Sequence, residues 1–270
     1  MDRDTPCITH TVGSGPHEHV ASASTPARAA RCSTVLQPLL EIRGLTKRYG
    51  EQVALADVTF AIGAGEVVGL IGPNGAGKTT LLETVAGLLP ADQGAVMWHG
   101  AASPQARRRE IMFYLPDGIR PYADQPVARV LMFFAGVYRR STPQVAGAIA
   151  ALGLAPVLGK RVQSLSKGYA RRLILALGLL APHPLLLIDE PFDGLDLRQT
   201  GEIARVLRRA AHDGRTLVLA IHQLNDAERV CDRLVLLADG HVRGFGTLDE
   251  LRTRTNQPAA SLEEIFLALT

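Results

Sequence analysis

Gly72-Pro73-Asn74-Gly75-Ala76-Gly77-Lys78-Thr79-Thr80 has the spacing glycine, any four residues, Gly-Lys-Ser/Thr, and two runs of different character flank it. Val67-Val68-Gly69-Leu70-Ile71 before it is an apolar β-type run, and Leu81-Leu82-Glu83-Thr84-Val85-Ala86 after it is helix-forming. Strand, glycine loop and helix are the geometry in which successive backbone N–H groups point inward around phosphate oxygens. The helix N-terminus adds positive potential there. Lys78 is expected to reach the outer phosphates and Thr79 to place its hydroxyl on Mg²⁺.

Bulk properties narrow the class. A chain of 270 residues with 47% hydrophobic content suits one or two domains with a sizeable core. The net charge of +3 argues against a dedicated nucleic-acid binder. The runs Arg107-Arg108-Arg109, Arg139-Arg140, Arg171-Arg172 and Arg208-Arg209 are expected to be solvated helix faces. Cys7, Cys32 and Cys231 are odd in number and widely spread, which gives no disulfide framework and suits a reducing compartment. No apolar run reaches the ~18–20 residues of a membrane span. The longest candidate, Leu173 to Ile188, is broken by Pro182, His183 and Pro184. The N-terminus has no apolar core of a secretory signal. A cytoplasmic chain is expected, with any membrane role supplied by a separate subunit.

Residues 1–37 are rich in Ala, Ser, Thr, Pro and His without hydrophobic periodicity and read as a disordered tail. Cys7, His10 and His17-Glu18-His19 within it read as scattered polar residues rather than a metal cluster. From Leu39, short β-type segments occur around Leu40-Ile42, Val53-Ala54, Val58-Ile62 and Val67-Ile71, and then Ala95-Trp98 and Ile111-Leu115. Residues 118–180 read as helices, including Val127-Tyr138 and a run from Arg171 to Leu180. The buried-type strand Leu185-Ile188 returns, followed by helix Arg198-His212, strand Thr216-Ile221, helix Asn225-Cys231 and strand Leu234-Ala238. A hairpin turn is expected at Asp239-Gly240. Alternating strands and helices point to an α/β core with a mostly parallel sheet, interrupted by an inserted helical subdomain.

A phosphate loop needs a carboxylate site for Mg²⁺, and Leu185-Leu186-Leu187-Ile188-Asp189-Glu190 supplies one. Asp189 is expected to emerge at the carboxyl end of a buried strand, where ligands sit in open α/β sheets. It is expected to hold Mg²⁺ mostly through water, with Glu190 polarising the attacking water. Together with Ser164-Leu165-Ser166-Lys167-Gly168-Tyr169 ahead of this strand, the order of motifs resembles that of ATP-binding-cassette (ABC) ATPases over about residues 39–250.

The resemblance implies a P-loop NTPase core with an N-terminal antiparallel β subdomain and the helical insertion. The cassette would span residues 38–255, with a helical tail over 256–270. It implies that Gly72, Pro73, Asn74, Gly75, Ala76, Gly77, Lys78, Thr79 and Thr80 bind ATP and that Tyr49 stacks on adenine. It implies that Phe192-Asp193-Gly194-Leu195-Asp196 is the D-loop and that His222 contacts the γ-phosphate. Ser166, Lys167 and Gly168 would begin a helix near Tyr169 whose N-terminus faces an ATP held by a second cassette, so a homodimer or heterodimer is implied.

Four positions depart from the family pattern. Asp117 stands where the family has Gln, and either approaches Mg²⁺ through a water or simply forms a turn with Gly118. Lys167 and Tyr169 replace Gly and Gln in the signature, and Asp193 replaces Ser or Thr, adding a carboxylate near the expected dimer seam. These put rate and coupling in question more than chemistry.

The short interval between Lys78 and Ser166 leaves no room for the long coiled coil of DNA-repair relatives, and a single cassette differs from two-cassette translation factors. The implied function is the ATPase subunit of a transporter with a separate integral membrane permease. The alternative is a soluble ABC-type ATPase or an ATP-binding regulator of low turnover. Tyr114-Leu115-Pro116, Leu165-Ser166-Lys167-Gly168 and the closing Ser261-Leu269 resemble single-cassette exporters, although the last is also a plain amphipathic helix. Phe133, Phe134 and Tyr138 either line the permease contact or belong to the core.

Overall fold

The computed structural model describes residues 37–270, so Cys7, His10, His17, Glu18, His19 and Cys32 lie outside the described residues. The chain enters β1 (Leu40–Tyr49) and turns at once into β2 (Gln52–Ile62). Where the sequence suggests separate short segments, these two strands form one long antiparallel hairpin. Register shifts between Ile42 and Leu45, Leu45 and Lys47, and Lys47 and Arg48 account for the difference. Each shift resets the two-residue alternation by which a half-buried strand is recognised.

β3 (Val67–Ile71), buried at all five residues, runs into the glycine loop and α1 (Lys78–Ala86). β4 (Gln93–Trp98) and β5 (Ala101–Ala102) join the first hairpin in an antiparallel sheet of order β2-β1-β4-β5. β6 (Met112–Leu115) precedes the helices α2 (Val127–Val137), α3 (Thr142–Ala151) and α4 (Lys167–Leu180). Then come β7 (Leu185–Asp189), α5 (Leu197–His212), β8 (Thr216–Ile221), α6 (Leu224–Val230), β9 (Arg233–Ala238) and β10 (His241–Gly246). The chain closes with α7 (Leu248–Arg254) and α8 (Leu262–Leu269).

The second sheet has the order β10-β9-β3-β8-β7-β6 and is parallel except for β10. Asp239 and Gly240 both take positive φ, 49° and 74°, as a two-residue hairpin turn requires. β3, β7 and β8 are buried throughout because both faces of this sheet are covered. Alternate side chains feed two cores. Leu186 and Ile188 of β7 pack with Leu131, Leu173 and Leu177 on the helical side. Leu185 and Leu187 pack with Leu40, Ile42 and Leu81 between the two sheets. Each buried leucine contributes about 1.5–3 kcal/mol relative to exposure. The fold is therefore the mixed α/β type expected, with an antiparallel sheet preceding a mostly parallel one.

α4 starts earlier than its apolar run suggests. Ser166 caps it, accepting the Tyr169 N–H at 3.4 Å, so Lys167 and Gly168 already belong to the first turn. α8 docks through buried Leu262 and Ile265, and the Leu262 N–H donates to Glu228 Oε1 of α6 at 3.0 Å.

The arginine runs are not simply solvated faces. Arg107 and Arg209 are exposed, but Arg108 and Arg171 are buried. Arg108 donates to the Thr84 carbonyl at 2.7 Å and Arg140 to the Leu180 carbonyl at 2.6 Å. The guanidinium fork suits such sites because it bonds several fixed acceptors at once.

Candidate nucleotide site

The glycine loop is shaped by steric exclusion. Gly77 has φ 104° directly before α1, and a Cβ there would meet the Ala54 carbonyl oxygen at 2.6 Å. A Cβ on Gly72 would lie 2.1 Å from the Leu237 carbonyl oxygen. Any side chain at these positions would push the loop off β2 and β9. No side chain caps α1, so its first N–H groups are free to meet an anion.

Lys78 folds back across the loop, donating to the carbonyls of Gly72 at 2.7 Å and Pro73 at 3.0 Å, with His222 Nδ1 at 3.5 Å. Burial lowers its pKa, and the charges of Glu190 and Asp189 oppose that fall. Thr79 Oγ1 donates to Asp189 Oδ2 at 2.8 Å. A threonine hydroxyl beside one carboxylate fits Mg²⁺, which takes few protein ligands and completes its shell with phosphate and water. Among the described residues no cluster of three His, Cys, Asp or Glu side chains forms a dedicated metal cage.

Glu190 stands at the carboxyl end of β7, and its Oε1 lies 2.7 Å from His222 Nε2. Burial, and then the neighbouring Asp189 charge, raise its pKa to about 7. Burial, and then Lys78, lower that of His222. Both shifts disfavour the charged partners, leaving Glu190 poised to exchange a proton near neutral pH.

One cleft of about 430 Å³ collects most of the residues singled out from the sequence: Tyr49, Asn74, Gly75, Gly77, Lys78, Thr79, Thr80, Asp117, Asp189, Glu190 and His222. Tyr49 is 49% exposed at the end of β1, with Lys47 Nζ 5.5 Å from its ring centre, rather than packed in the core. Gly72 and Pro73 contribute backbone carbonyls to Lys78, while Ala76 points into the core between the sheets.

The remaining three residues are elsewhere. Ser166, Lys167 and Gly168 line a separate cleft of about 580 Å³ with Tyr169, Gly194 and Asp196. Asp117 reaches the first cleft, but its carboxylate is paired with Arg171. Asp193 is paired in turn with Lys167 Nζ at 2.6 Å. The carboxylate expected to repel across a dimer seam thus has a counter-charge within its own chain.

Sequence reading missed three residues near the carboxylates. Arg171 was hidden in an arginine run that reads as a solvated helix face. Tyr114 has a buried hydroxyl without a hydrogen-bond partner, and burial followed by the Asp189 charge raises its pKa. Glu83, on the outer turn of α1, is likewise raised by burial and then by Asp189. Glu83 carried no motif signal, and Tyr114 stood out only within the exporter-like Tyr114-Leu115-Pro116, with no role at the carboxylates.

Comparison with known proteins bears on this arrangement. Residues 55–193 match the family described as ABC transporter. The chain is 31% identical over 239 residues to the ABC-type transporter ATP-binding protein EcsA of Bacillus subtilis, covering 86% of this chain and 96% of that one. It is 33% identical over 229 residues to the zinc import ATP-binding protein ZnuC of Alkalilimnicola ehrlichii, covering 84% and 85%. A solved structure of an ATP-binding subunit of an ABC transporter superposes with a TM-score of 0.78 at 32% identity, covering 86% of this chain and 99% of that one. With a family match over half its length and relatives aligned almost end to end, the chain belongs to the ABC transporter family, as one of its ATP-binding, ATP-hydrolysing cassettes.

Proposed function

We propose that this chain works as a pair of cassettes that close around ATP and drive export through a separate membrane permease. The observation that carries this reading is the division of the nucleotide residues between two clefts. The phosphate loop with Glu190 lines one, and Ser166 with the start of α4 lines the other. Neither cleft alone surrounds a triphosphate, and a second copy would bring the signature of one chain to the loop of the other.

In each composite site the α1 N–H groups and Lys78 would hold the β- and γ-phosphates. Thr79 and Asp189 would hold Mg²⁺, which when bound neutralises charge on the transferring phosphoryl group. Asp117 is in reach of that cleft and is proposed to approach the metal through water. Glu190 would orient the attacking water and accept its proton, with His222 fixing the carboxylate through the 2.7 Å contact. Tyr49 would stack on adenine, and Ser166, Lys167 and Gly168 would meet the partner's γ-phosphate.

The permease would dock on the helical region. Tyr122, Met132, Phe133 and Val137 are all more than half exposed there, at 52%, 59%, 51% and 57%. The Tyr122 and Phe133 rings stand edge to face at 5.2 Å. Phe134 packs against the core, so the three aromatics considered together in the sequence divide between surface and interior. Apolar side chains clustered in this way favour a protein partner. Among the described residues no helix is long and apolar enough to cross a membrane. On this reading the permease is a different chain and this one is peripheral on the cytoplasmic face. The preference for export rests on the exporter-like segments at Tyr114-Pro116, Leu165-Gly168 and Ser261-Leu269. The likeness to a zinc import protein makes direction a matter for transport assays.

Mixing two inactive variants tests the pairing. Lys78→Ala spoils the loop and Ser166→Arg the signature. A mixed dimer keeps one intact composite site, so turnover should recover to about a quarter of wild type. No recovery, with both variants folded and dimeric, would place the whole site within one chain and end this reading.

A further inference from the structure

Glu190 is held in an unusual backbone conformation. Its φ is 52°, in the left-handed region that residues with a Cβ rarely occupy. Such a conformation persists only where surrounding contacts over-determine it. Here they can be traced. The peptide plane joining Asp189 to Glu190 is gripped on both edges. Its N–H donates to the Ala220 carbonyl of β8 at 3.0 Å, and its C=O accepts from Arg171 Nη1 at 3.3 Å. The following carbonyl, that of Glu190, accepts from the Asp193 N–H at 3.2 Å.

Arg171 does more than hold one carbonyl. It is buried, with its side chain 6% exposed, and a guanidinium so placed needs counter-charges. It has them: Nη2 donates to Asp117 Oδ1 and lies 4.0 Å from Asp193 Oδ2. Asp193 is itself bonded by Lys167 Nζ. One planar fork therefore joins the end of β7, the loop after β6 and the loop after Glu190. Three residues that depart from the family pattern, Asp117, Lys167 and Asp193, meet in this one network.

We propose that Arg171 is a positioning residue for ATP hydrolysis, fixing the peptide plane that aims the Glu190 carboxylate, with Asp117 and Asp193 holding the guanidinium in place. Arg171 lies on the helix that begins at Ser166, so the network ties the aim of Glu190 to the position of the signature helix. A lysine keeps the charge but offers a single ammonium point. It cannot span a carbonyl and two carboxylates from one fixed plane. The inference rests on the assignment of Glu190 as the general base.

The test is a double-mutant cycle with Glu190→Gln, measuring kcat, the KM for ATP and thermal unfolding. Arg171→Lys is expected to lower kcat about ten-fold with KM within about two-fold, since misaiming a catalytic group costs rate rather than binding. In the Glu190→Gln background the same substitution is expected to leave the residual rate unchanged. An unaltered kcat in folded Arg171→Lys protein would overturn the inference. So would a ten-fold loss that persists in the Glu190→Gln background, because Arg171 would then act on something else. If Arg171→Lys does not fold, Asp117→Asn, which leaves the arginine in place, is read by the same criteria. If Glu190→Gln itself retains full turnover, the assignment of the base fails and this inference fails with it. If Glu190→Gln is inactive but Arg171→Lys is not, only this inference is lost.

Discussion

The loop side and the signature side of this cassette are built differently. On the loop side, Lys78 and Asp189 are buried and bonded to other members of the site. On the signature side, Ser166 caps its own helix and Lys167 is two-thirds exposed, at 66%. The loop side is a preorganised site, in which electrostatic stabilisation requires little rearrangement. The signature side is a surface on which Ser166 and Lys167 are exposed. The contrast suggests that binding is set mainly by one half and turnover by both.

Lys78→Ala should break the comparison most severely. Among the described residues it removes the only lysine or arginine lining the loop cleft, and hydrolysis is expected to fall by at least about 10²-fold with weakened ATP binding. Nucleotide titration beside a phosphate-release assay separates the two effects. Glu190→Gln should lower turnover by about 10²–10⁴-fold while leaving ATP binding intact, and size-exclusion chromatography with ATP should recover a dimer.

The same residue predicts a pH profile. A base must be deprotonated to accept a proton, so kcat should rise with pH through about 7, the value to which burial lifts Glu190. That ascending limb should vanish from the residual activity of Glu190→Gln. A profile flat from pH 6 to 8 in the wild type would assign the proton elsewhere.

Tyr49→Ala belongs to the loop side alone. Losing a base–aromatic stack of ~1–3 kcal/mol should weaken ATP binding about ten-fold with kcat nearly unchanged. Ser166→Ala is its counterpart on the other side. It removes the cap of α4, costing about 1 kcal/mol of stability, and should lower kcat several-fold with no change in ATP affinity of the isolated chain. If Ser166→Ala weakened nucleotide binding in the monomer, the division between the two halves would be wrong. Beyond the fall in kcat expected from losing its pairing with Arg171, Asp117→Gln should have the smallest effect on the metal, about a two-fold shift in the Mg²⁺ concentration for half-maximal turnover. No shift at all would leave Asp117 with Arg171 as its sole partner.

Much of the loop side was legible in advance because its determinants are local. Val67 to Ile71 can only be a buried strand, the glycines permit the turn that follows, and Leu81 to Ala86 continue as helix. Asp189 follows an apolar run that must end at the sheet edge. The hairpin at Asp239-Gly240 was readable for the same reason, because two adjacent residues able to adopt positive φ define it. Failures came where one residue's environment depends on distant segments. Arg171 reads as half of a charged pair on a helix, and nothing nearby says that Asp117 and Asp193 will close over it. The long β1–β2 hairpin was obscured by register shifts that only its cross-strand partners reveal.

The sequence by itself therefore determined the strand–loop–helix unit, the loop and carboxylate residues that meet in one cleft, and the alternation that makes an α/β fold. These follow from backbone sterics and hydrophobic period, which act over a few residues. Only the tertiary structure decided that Glu190 is strained and gripped by Arg171 and that three unusual residues share one ionic network. Those facts depend on the strand order β3-β8-β7-β6 and on where α4 crosses it. Pairing between groups far apart in the chain is set by packing geometry, which no local pattern encodes.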